Sequence, residues 1–167
     1  IVFGDWSSDV CSSDLLDHIG AIPKLAHRYN APIISTPYTT ELIRQQIAGE
    51  QKFGVNNKLF ALKAGQRYTL SQHLTLEFVR MQHSIIDTVT VVLHTPHGAI
   101  VYACDYKLDR TPVIGMPPDF ERLRQIGKEG VLALIVESTY IDNRGRAPSE
   151  RIRSEEHTSE LQSPNTI

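Results

Sequence analysis

The 167-residue sequence has little cysteine, no long apolar run and almost no net charge. Two cysteines cannot build a disulfide framework, and no apolar run approaches the ~18 residues of a membrane-spanning helix. A net charge of −2 with 41% hydrophobic residues excludes a collagen-like or disordered chain. A basic-then-apolar secretory leader is also missing. We therefore expect one cytoplasmic domain with a buried core, and because the sequence begins with Ile1, we expect it to be a piece of a longer protein.

Both ends of the sequence are polar and lack helical or strand periodicity. Residues 5–15, DWSSDVCSSDL, resemble translated sequencing-adapter DNA, and so do residues 153–163, RSEEHTSELQS. The reverse complement of DNA that encodes the first segment, read one frame over, encodes the second. Because unrelated protein segments would not share that relation, we interpret residues 1–15 and 153–167 as artefactual. This leaves one domain at residues 16–152, which carries a small positive net charge and one cysteine, Cys104.

Apolar periodicity in this domain predicts a mixed α/β structure. Helices are predicted for three segments, 19–29, 39–47 and 119–126. We expect Thr39 or Thr40 to cap the second helix and Gly127 to end the third. Alternating or β-branched runs predict short strands at 31–35, 67–70, 73–79, 89–94 and 99–104.

A continuous apolar run, VLALIV at Val131–Val136, predicts a strand that is buried on both faces. Residues 95–98, TPHG, predict a hairpin turn between two of the shorter strands. Strands and helices that alternate in this way favour an α/β fold with a layered sheet.

Four polar residues occur where predicted strands or turns end: Asp17, His18, His83 and Asp105. Apolar runs behind such positions hold side chains rigidly, as a metal site requires. Imidazole and carboxylate donors suit zinc or manganese. A His or Asp at a strand end is, however, more often a turn or surface residue, so the pattern alone leaves both interpretations open.

Other polar residues favour structural roles. His94 and His97 flank the predicted hairpin turn, so we expect both to be exposed. Cys104 lies in an apolar strand, which favours a small buried side chain over a nucleophile. Basic residues of the second half are consistent with an RNA-facing surface or with a solvated helix face, and this set comprises Lys107, Arg110, Arg122, Arg124, Lys128, Arg144 and Arg146.

Several motifs resemble those of a known family. Residues 16–23, LDHIGAIP, resemble the second half of the H-x-H-x-D-H-x-G motif of metallo-β-lactamase-fold hydrolases. Residues 83–88, HSIIDT, resemble the HSIPDS stretch of the ribonuclease J family, and VYACDYKLD at 101–109 resembles its G/C-D-F/Y-K-F/L-D segment in archaeal form. The stretches GKEGV and VESTY follow in family order, so the resemblance covers residues 16–150.

This resemblance implies a fold and a site. The fold would be the central portion of a metallo-β-lactamase αββα sandwich of the β-CASP subgroup. The site would hold two divalent ions, with Zn2+ first and Mn2+ or Mg2+ as alternatives. Asp17, His18 and Asp105 would serve one ion, and Asp105 would bridge to the second, which His83 would bind. The catalytic residues would be Asp17, Asp105 and Glu137, the last orienting a protonating histidine.

The sequence also departs from the family pattern. The two histidines that precede the aspartate in the motif would fall at Ser13 and Leu15, and the later histidines would lie beyond Glu150. Ile86 replaces the usual proline, and Glu137 stands where many bacterial members have aspartate. We therefore expect this chain alone to be inactive and to bind at most one ion weakly.

For the parent protein, the resemblance implies a 5′-to-3′ exoribonuclease that hydrolyses RNA phosphodiesters with a metal-bound hydroxide. The expected partner is RNA, the expected location is the cytoplasm, and a homodimer is a further expectation. One alternative is an endonuclease of the RNA 3′-end-processing β-CASP group, which shares the ESTY stretch. Another alternative is a fragment with no function of its own.

Overall fold

The computed structural model describes residues 16–29, 31–50, 53–139, 141–142, 144–145 and 149, and the side chains from His18 onward. The two proposed artefactual segments therefore lie outside the described residues. The helices are α1 (Leu16–Ile19), α2 (Ile22–Arg28), α3 (Pro37–Gly49) and α4 (Phe120–Glu129). The strands are β1 (Ile33–Ser35), β2 (Leu59–Ala61), β3 (Arg67–Thr69), β4 (Thr75–Arg80), β5 (Val89–Thr95), β6 (Gly98–Ala103) and β7 (Val131–Val136). Across the described ranges, none of the helices has the length and apolar content needed to cross a bilayer.

The strands form two sheets. β1 and β2 pair in parallel, and the larger sheet has the order β3-β4-β5-β6-β7. Pairing in the larger sheet is antiparallel from β3 to β6, whereas β7 runs parallel to β6. The parallel pair has a consequence for function, because the carboxyl ends of β6 and β7 meet at the same edge of the sheet.

Three hydrophobic clusters stack these elements into four layers. Ile33 of β1 packs in one cluster with Ile43 of α3, whereas its neighbour Ile34 packs in another with Phe78 of the larger sheet. Adjacent strand residues point to opposite faces, so the small sheet lies between the first helices and the large sheet. On the far face of the large sheet, Val92 packs with Ile126 of α4. The layer order is helix, sheet, sheet, helix, and it confirms the predicted α/β fold as a partial αββα sandwich.

The predicted elements are present, but some of their ends differ. α3 begins at Pro37 with Thr36 at the cap position, so the predicted capping by Thr39 or Thr40 is wrong. Proline fits the first helical position because its fixed φ is already helical and its missing N–H has no partner there. Thr40 instead donates its hydroxyl hydrogen to the carbonyl oxygen of Thr36, over 2.8 Å.

Helix α4 also ends later than predicted. Its start is as expected, since Asp119 caps it by accepting a hydrogen bond from the backbone of Arg122. Gly127 lies inside the helix at an exposed position, where glycine costs only about 1 kcal/mol relative to alanine. The helix ends at Gly130, whose φ of +112° is the conformation that favours glycine.

The predicted burial of Val131–Val136 is wrong. All six residues of β7 are exposed, and the exposed fractions of Leu132 and Leu134 are 60% and 62%. Among the described residues, β7 is an edge strand that pairs with β6 alone, and the buried Ile126 of α4 packs on residues of β4, β5 and β6. The continuous apolar run is typical of a strand that is buried on both faces. Among the described residues, however, no layer covers β7.

A buried carboxylate lies between the large sheet and α4. Glu77 is 3% exposed, and its oxygens accept hydrogen bonds from Arg122 Nε and Nη2 over 2.7 and 2.9 Å. His94 Nε2 lies 2.6 Å from Glu77 Oε2, and Arg67 Nη2 lies 3.0 Å from the same oxygen. Burial raises the pKa of Glu77, but the hydrogen bonds and charge of Arg122, with His94 and Arg67, outweigh it and lower the pKa to about 2.

This cluster corrects two expectations. The predicted exposure of His94 is wrong. Its imidazole points toward Glu77, and its side chain is only 23% exposed. Arg122 belongs neither to an RNA-facing surface nor to a solvated helix face, since it binds Glu77 and also donates to Glu129 over 3.0 Å. A buried carboxylate needs such donors, because an unpaired one would be costly to desolvate. His97, by contrast, is exposed as predicted.

Candidate metal centre

Three of the four predicted ligands lie together, because two imidazoles approach one oxygen of the third ligand, a carboxylate. His18 Nε2 lies 3.6 Å from Asp105 Oδ2, and His83 Nδ1 lies 4.0 Å from the same oxygen. These side chains keep exposed fractions of 19%, 21% and 18% for His18, His83 and Asp105. Asp17 lies beside His18 in α1, but its side chain is outside the described part of the structure. The site is therefore a half-buried cluster that solvent and a ligand can reach.

The three residues come from distant parts of the sequence, and the fold fixes each one. α1 places His18 next to Ile19, which is fully buried in the cluster with α2 and α3. Asp105 lies two residues beyond the carboxyl end of β6. A short helix anchored by one apolar residue thus sets an imidazole against a strand end of the larger sheet.

The loop that carries His83 is closed by backbone bonds. The amide of Met81 donates to the carbonyl of Thr88 over 3.0 Å, which brings the end of β4 to the start of β5. Asp87 adopts a φ of +65°, a conformation that aspartate tolerates better than most residues. The amide of Lys107 donates to the carbonyl of Gln82 over 2.7 Å, so the loops that carry His83 and Asp105 are joined directly.

A fourth donor, Cys104, lies at the site. Its Sγ lies 3.6 Å from Nδ1 and 3.9 Å from Nε2 of His18. The expectation of a small buried cysteine within an apolar strand is wrong, because β6 ends at Ala103 and Cys104 is half-buried beside the imidazole. The signal in the sequence was the cysteine's position directly before Asp105, at the end of a strand.

The chemistry of these donors fits a divalent metal. With zinc bonds of about 2.0–2.3 Å, donors at the corners of a tetrahedron lie roughly 3.3–3.8 Å apart. The 3.6 Å between His18 Nε2 and Asp105 Oδ2 falls at this spacing. His18, Cys104 and Asp105 offer ligand atoms that all lie within 4.8 Å of one another. Imidazole, thiolate and carboxylate are the groups that bind zinc in proteins.

Glu137 follows β7 directly and is half-buried. In the parallel register Ala103 pairs with Val136, so the residues after both strands leave the sheet at the same edge. Among the described residues, Glu137 has no hydrogen-bond partner. Its role beside a protonating histidine stays a prediction, and so do the metal-binding roles of Asp17, His18, His83 and Asp105.

Comparisons with known proteins agree on one family. The chain is 52% identical to ribonuclease J of Methanocaldococcus jannaschii over 90% of this chain and 34% of that protein. It is 48% identical to ribonuclease J of Pyrococcus abyssi, over 82% of this chain and 31% of that protein. Ribonuclease J of Thermus thermophilus is 37% identical over 80% of this chain and 24% of its own length. No family profile matches the chain.

These matches define the class of protein. The chain belongs to the ribonuclease J family, as its motifs predicted, and the archaeal type is confirmed by the identities of about one half. It spans about a third of the length of those two relatives. Among solved structures, zinc-bound PqqB of Methylobacterium extorquens is 14% identical with a TM-score of 0.36, over 55% of this chain and 31% of its own.

Proposed function

We propose that this chain is a segment of a metal-dependent ribonuclease that degrades RNA from the 5′ end. The observation that carries the proposal is the approach of His18 and His83 to one oxygen of Asp105, at 3.6 and 4.0 Å. A carboxylate that two imidazoles approach is suited to bridging two cations. The relatives named ribonuclease J support RNA as the substrate.

Each residue has a distinct task in this proposal. His18 and Asp17 would hold one divalent ion, His83 would hold the other, and Asp105 would serve both. When bound, the ions supply Lewis-acid chemistry for phosphodiester hydrolysis. The joined loops after β4 and β6 keep His83 and Asp105 in register, which limits the reorganisation needed at the phosphate. Glu137, at the neighbouring strand end, orients the histidine that protonates the leaving group.

The remaining parts of the proposal concern the whole protein. We infer that zinc is the native metal, since imidazole and carboxylate donors suit it, with manganese or magnesium as the competing ions. The complete protein would act in the cytoplasm as a homodimer. The present chain alone would be inactive and would bind at most one ion weakly, because it spans about a third of the relatives' length and the four predicted ligands serve two ions.

Asp105→Asn in the complete protein tests the proposal. RNA hydrolysis should fall by at least about 10²-fold and the metal content should drop, because the bridging charge is lost. The matched control is Asp119→Asn, since asparagine also caps α4 and Asp119 is not one of the predicted metal ligands. RNA hydrolysis and metal content that persist in Asp105→Asn would contradict the proposed site.

The same assay separates the two ribonuclease activities. On RNA labelled at its 5′ end, the proposed exonuclease should release labelled mononucleotides first. Labelled products of intermediate length would instead support the endonuclease of the 3′-end-processing group. The isolated chain should release no product in either assay.

A further inference from the structure

β7 is an exposed, apolar edge of the larger sheet. Its six residues, Val131–Val136, are all exposed, and Leu134 is 62% exposed. Among the residues that the structure describes, β7 pairs with β6 on one side and has no neighbouring strand on the other. Backbone N–H and C=O groups along such an edge can pair with a further strand. Natural edge strands resist this pairing with charges or proline, and the sequence VLALIV contains neither.

We propose that this chain forms a symmetric dimer in which β7 pairs antiparallel with β7 of a second copy. The two five-stranded sheets would become one continuous sheet, with a β3 strand at each outer edge. Both copies use the same surface, so the contact is closed by a two-fold axis. This dimer is independent of the proposed metal site and of the homodimer proposed for the complete protein, so each can be absent without the others.

The symmetry restricts the register of the two β7 strands. A two-fold axis that makes them antiparallel is perpendicular to the sheet and keeps every side chain on its original face. Residues that lie opposite each other share a face, so one residue of β7 must lie opposite its own copy. The pairing of β7 with β6 skips Leu132, which leaves Ala133–Val136 as the regular part of the strand.

Packing and charge favour Leu134 as the central residue. Ala133 then lies opposite Ile135 of the second copy, and Glu137 stays outside these apolar pairs. Centring the pairing on Ile135 would set the carboxylate of Glu137 opposite Ala133, and centring it on Ala133 would set the skipped Leu132 opposite Leu134. Because aliphatic residues that lie directly opposite stabilise an antiparallel pair, the register centred on Leu134 is the one expected.

The other edge of the sheet favours closure at two copies over an open-ended fibre. β3 spans only three residues, Arg67–Thr69, and Nη2 of Arg67 lies 3.0 Å from Oε2 of Glu77. A short edge strand that carries a charge is a poor template for pairing. The outer edges of the joined sheet therefore resist further growth.

Light scattering of the full chain after size exclusion, over a range of protein concentrations, measures the proposed assembly. We expect a mass of about twice 18.8 kDa at high concentration and a return to 18.8 kDa on dilution. This measurement needs neither a metal nor RNA, so its result is separate from that of the proposed function.

Charge exchange at Leu134 tests the position of the two-fold axis. Leu134→Lys opposes two lysines and Leu134→Glu opposes two glutamates, so each variant alone should dimerise at least about tenfold more weakly than the unsubstituted chain. An equimolar mixture opposes lysine to glutamate and should recover the dimer mass. Because Leu134 is exposed, both variants should keep the circular-dichroism spectrum of the unsubstituted chain.

The matched control is the same exchange at Ile114, which is 70% exposed and lies between β6 and α4. Ile114→Lys and Ile114→Glu should each dimerise like the unsubstituted chain, with no gain on mixing. A mass of 18.8 kDa at every concentration would overturn the dimer, and a mass that grows without limit would overturn its closure at two. Dimers that persist in both Leu134 variants, or a mixture that stays monomeric, would contradict a two-fold axis at Leu134.

Discussion

Glu77 couples the stability of the fold to pH. Its ordinary pKa of 4.5 falls to about 2 in the folded protein, so between these values the unfolded chain binds more protons. The stabilising contribution is complete above pH 4.5 and is lost as the pH falls toward 2. A shift of this size corresponds to at most about 3 kcal/mol in the free energy of unfolding.

Denaturant unfolding at pH 7 and pH 3 measures this contribution. Glu77→Gln should flatten the pH dependence and destabilise the protein by about 1–3 kcal/mol at pH 7, because Arg122 loses its buried partner. The matched control is Glu41→Gln, which removes an exposed pair with Arg44 and should cost less than about 0.5 kcal/mol. Equal pH dependence in Glu77→Gln and the unsubstituted chain would contradict the assignment.

Glu137 gives a second prediction at the scale of one residue. If it orients a protonating histidine, Glu137→Gln in the complete protein should lower turnover by about 10²–10⁴-fold, the usual contribution of acid–base help. The metal content should stay unchanged, because the carboxylate acts through the histidine. The alternative is that Glu137 only caps the turn at Ser138 and Thr139. Near-normal RNA hydrolysis by the folded variant would favour that alternative.

At the residue scale, sequence motifs predicted His18, His83 and Asp105, which lie close together in the structure, but they did not predict the contacts of Cys104 and Glu77. Cys104 escaped because an apolar strand pattern cannot say where the strand ends, and the residue lies one position beyond β6. Glu77 escaped because its donors come from a neighbouring strand and from α4, far away in the sequence. Polar contacts between residues that are far apart in the sequence produce no local pattern, so they cannot be predicted from periodicity.

At the scale of elements, periodicity identified the helices and the longer strands and failed at ends and edges. β2 was not predicted, and its parallel pairing with β1 depends on the fold and not on local sequence. The run at β7 predicted a strand correctly but not its exposure, since burial depends on which layers cover an edge. The hairpin at 95–98 was predicted because its turn residues are local, and Gly98 there has a φ of +130°.

Gly98 also shows how an element's end is set by tertiary contact. A side chain at this position would place a Cβ 3.3 Å from the carbonyl oxygen of Gly130, at the start of β7. The amide of Ala99 donates to that same carbonyl over 2.9 Å. A larger residue at position 98 would therefore make a tight contact with the parallel strand in addition to adopting an unfavourable φ.

At the scale of the whole molecule, the four-layer order was predictable and the covering of its last strand was not. The order follows from a motif resemblance that fixes how helices and strands alternate, and the packing of Ile33, Ile34 and Val92 agrees with it. The exposed apolar faces of β7 are the kind of surface that elsewhere marks an interaction site or an aggregation liability. The chain's share of about a third of its relatives' length is consistent with a missing cover for that surface.

The last prediction concerns the two flanks, residues 1–15 and 153–167, which we propose to be adapter-derived. They carry no apolar period that would give a face to the core, so their removal should leave the thermal midpoint unchanged or raised. The alignment with the M. jannaschii protein is longer than residues 16–152, so each flank is deleted separately as well as together. The matched control deletes residues 16–21, which removes buried Ile19 and should lower the midpoint by several degrees. A comparable loss on deleting either flank would show that it packs on the domain and would contradict its interpretation as foreign sequence.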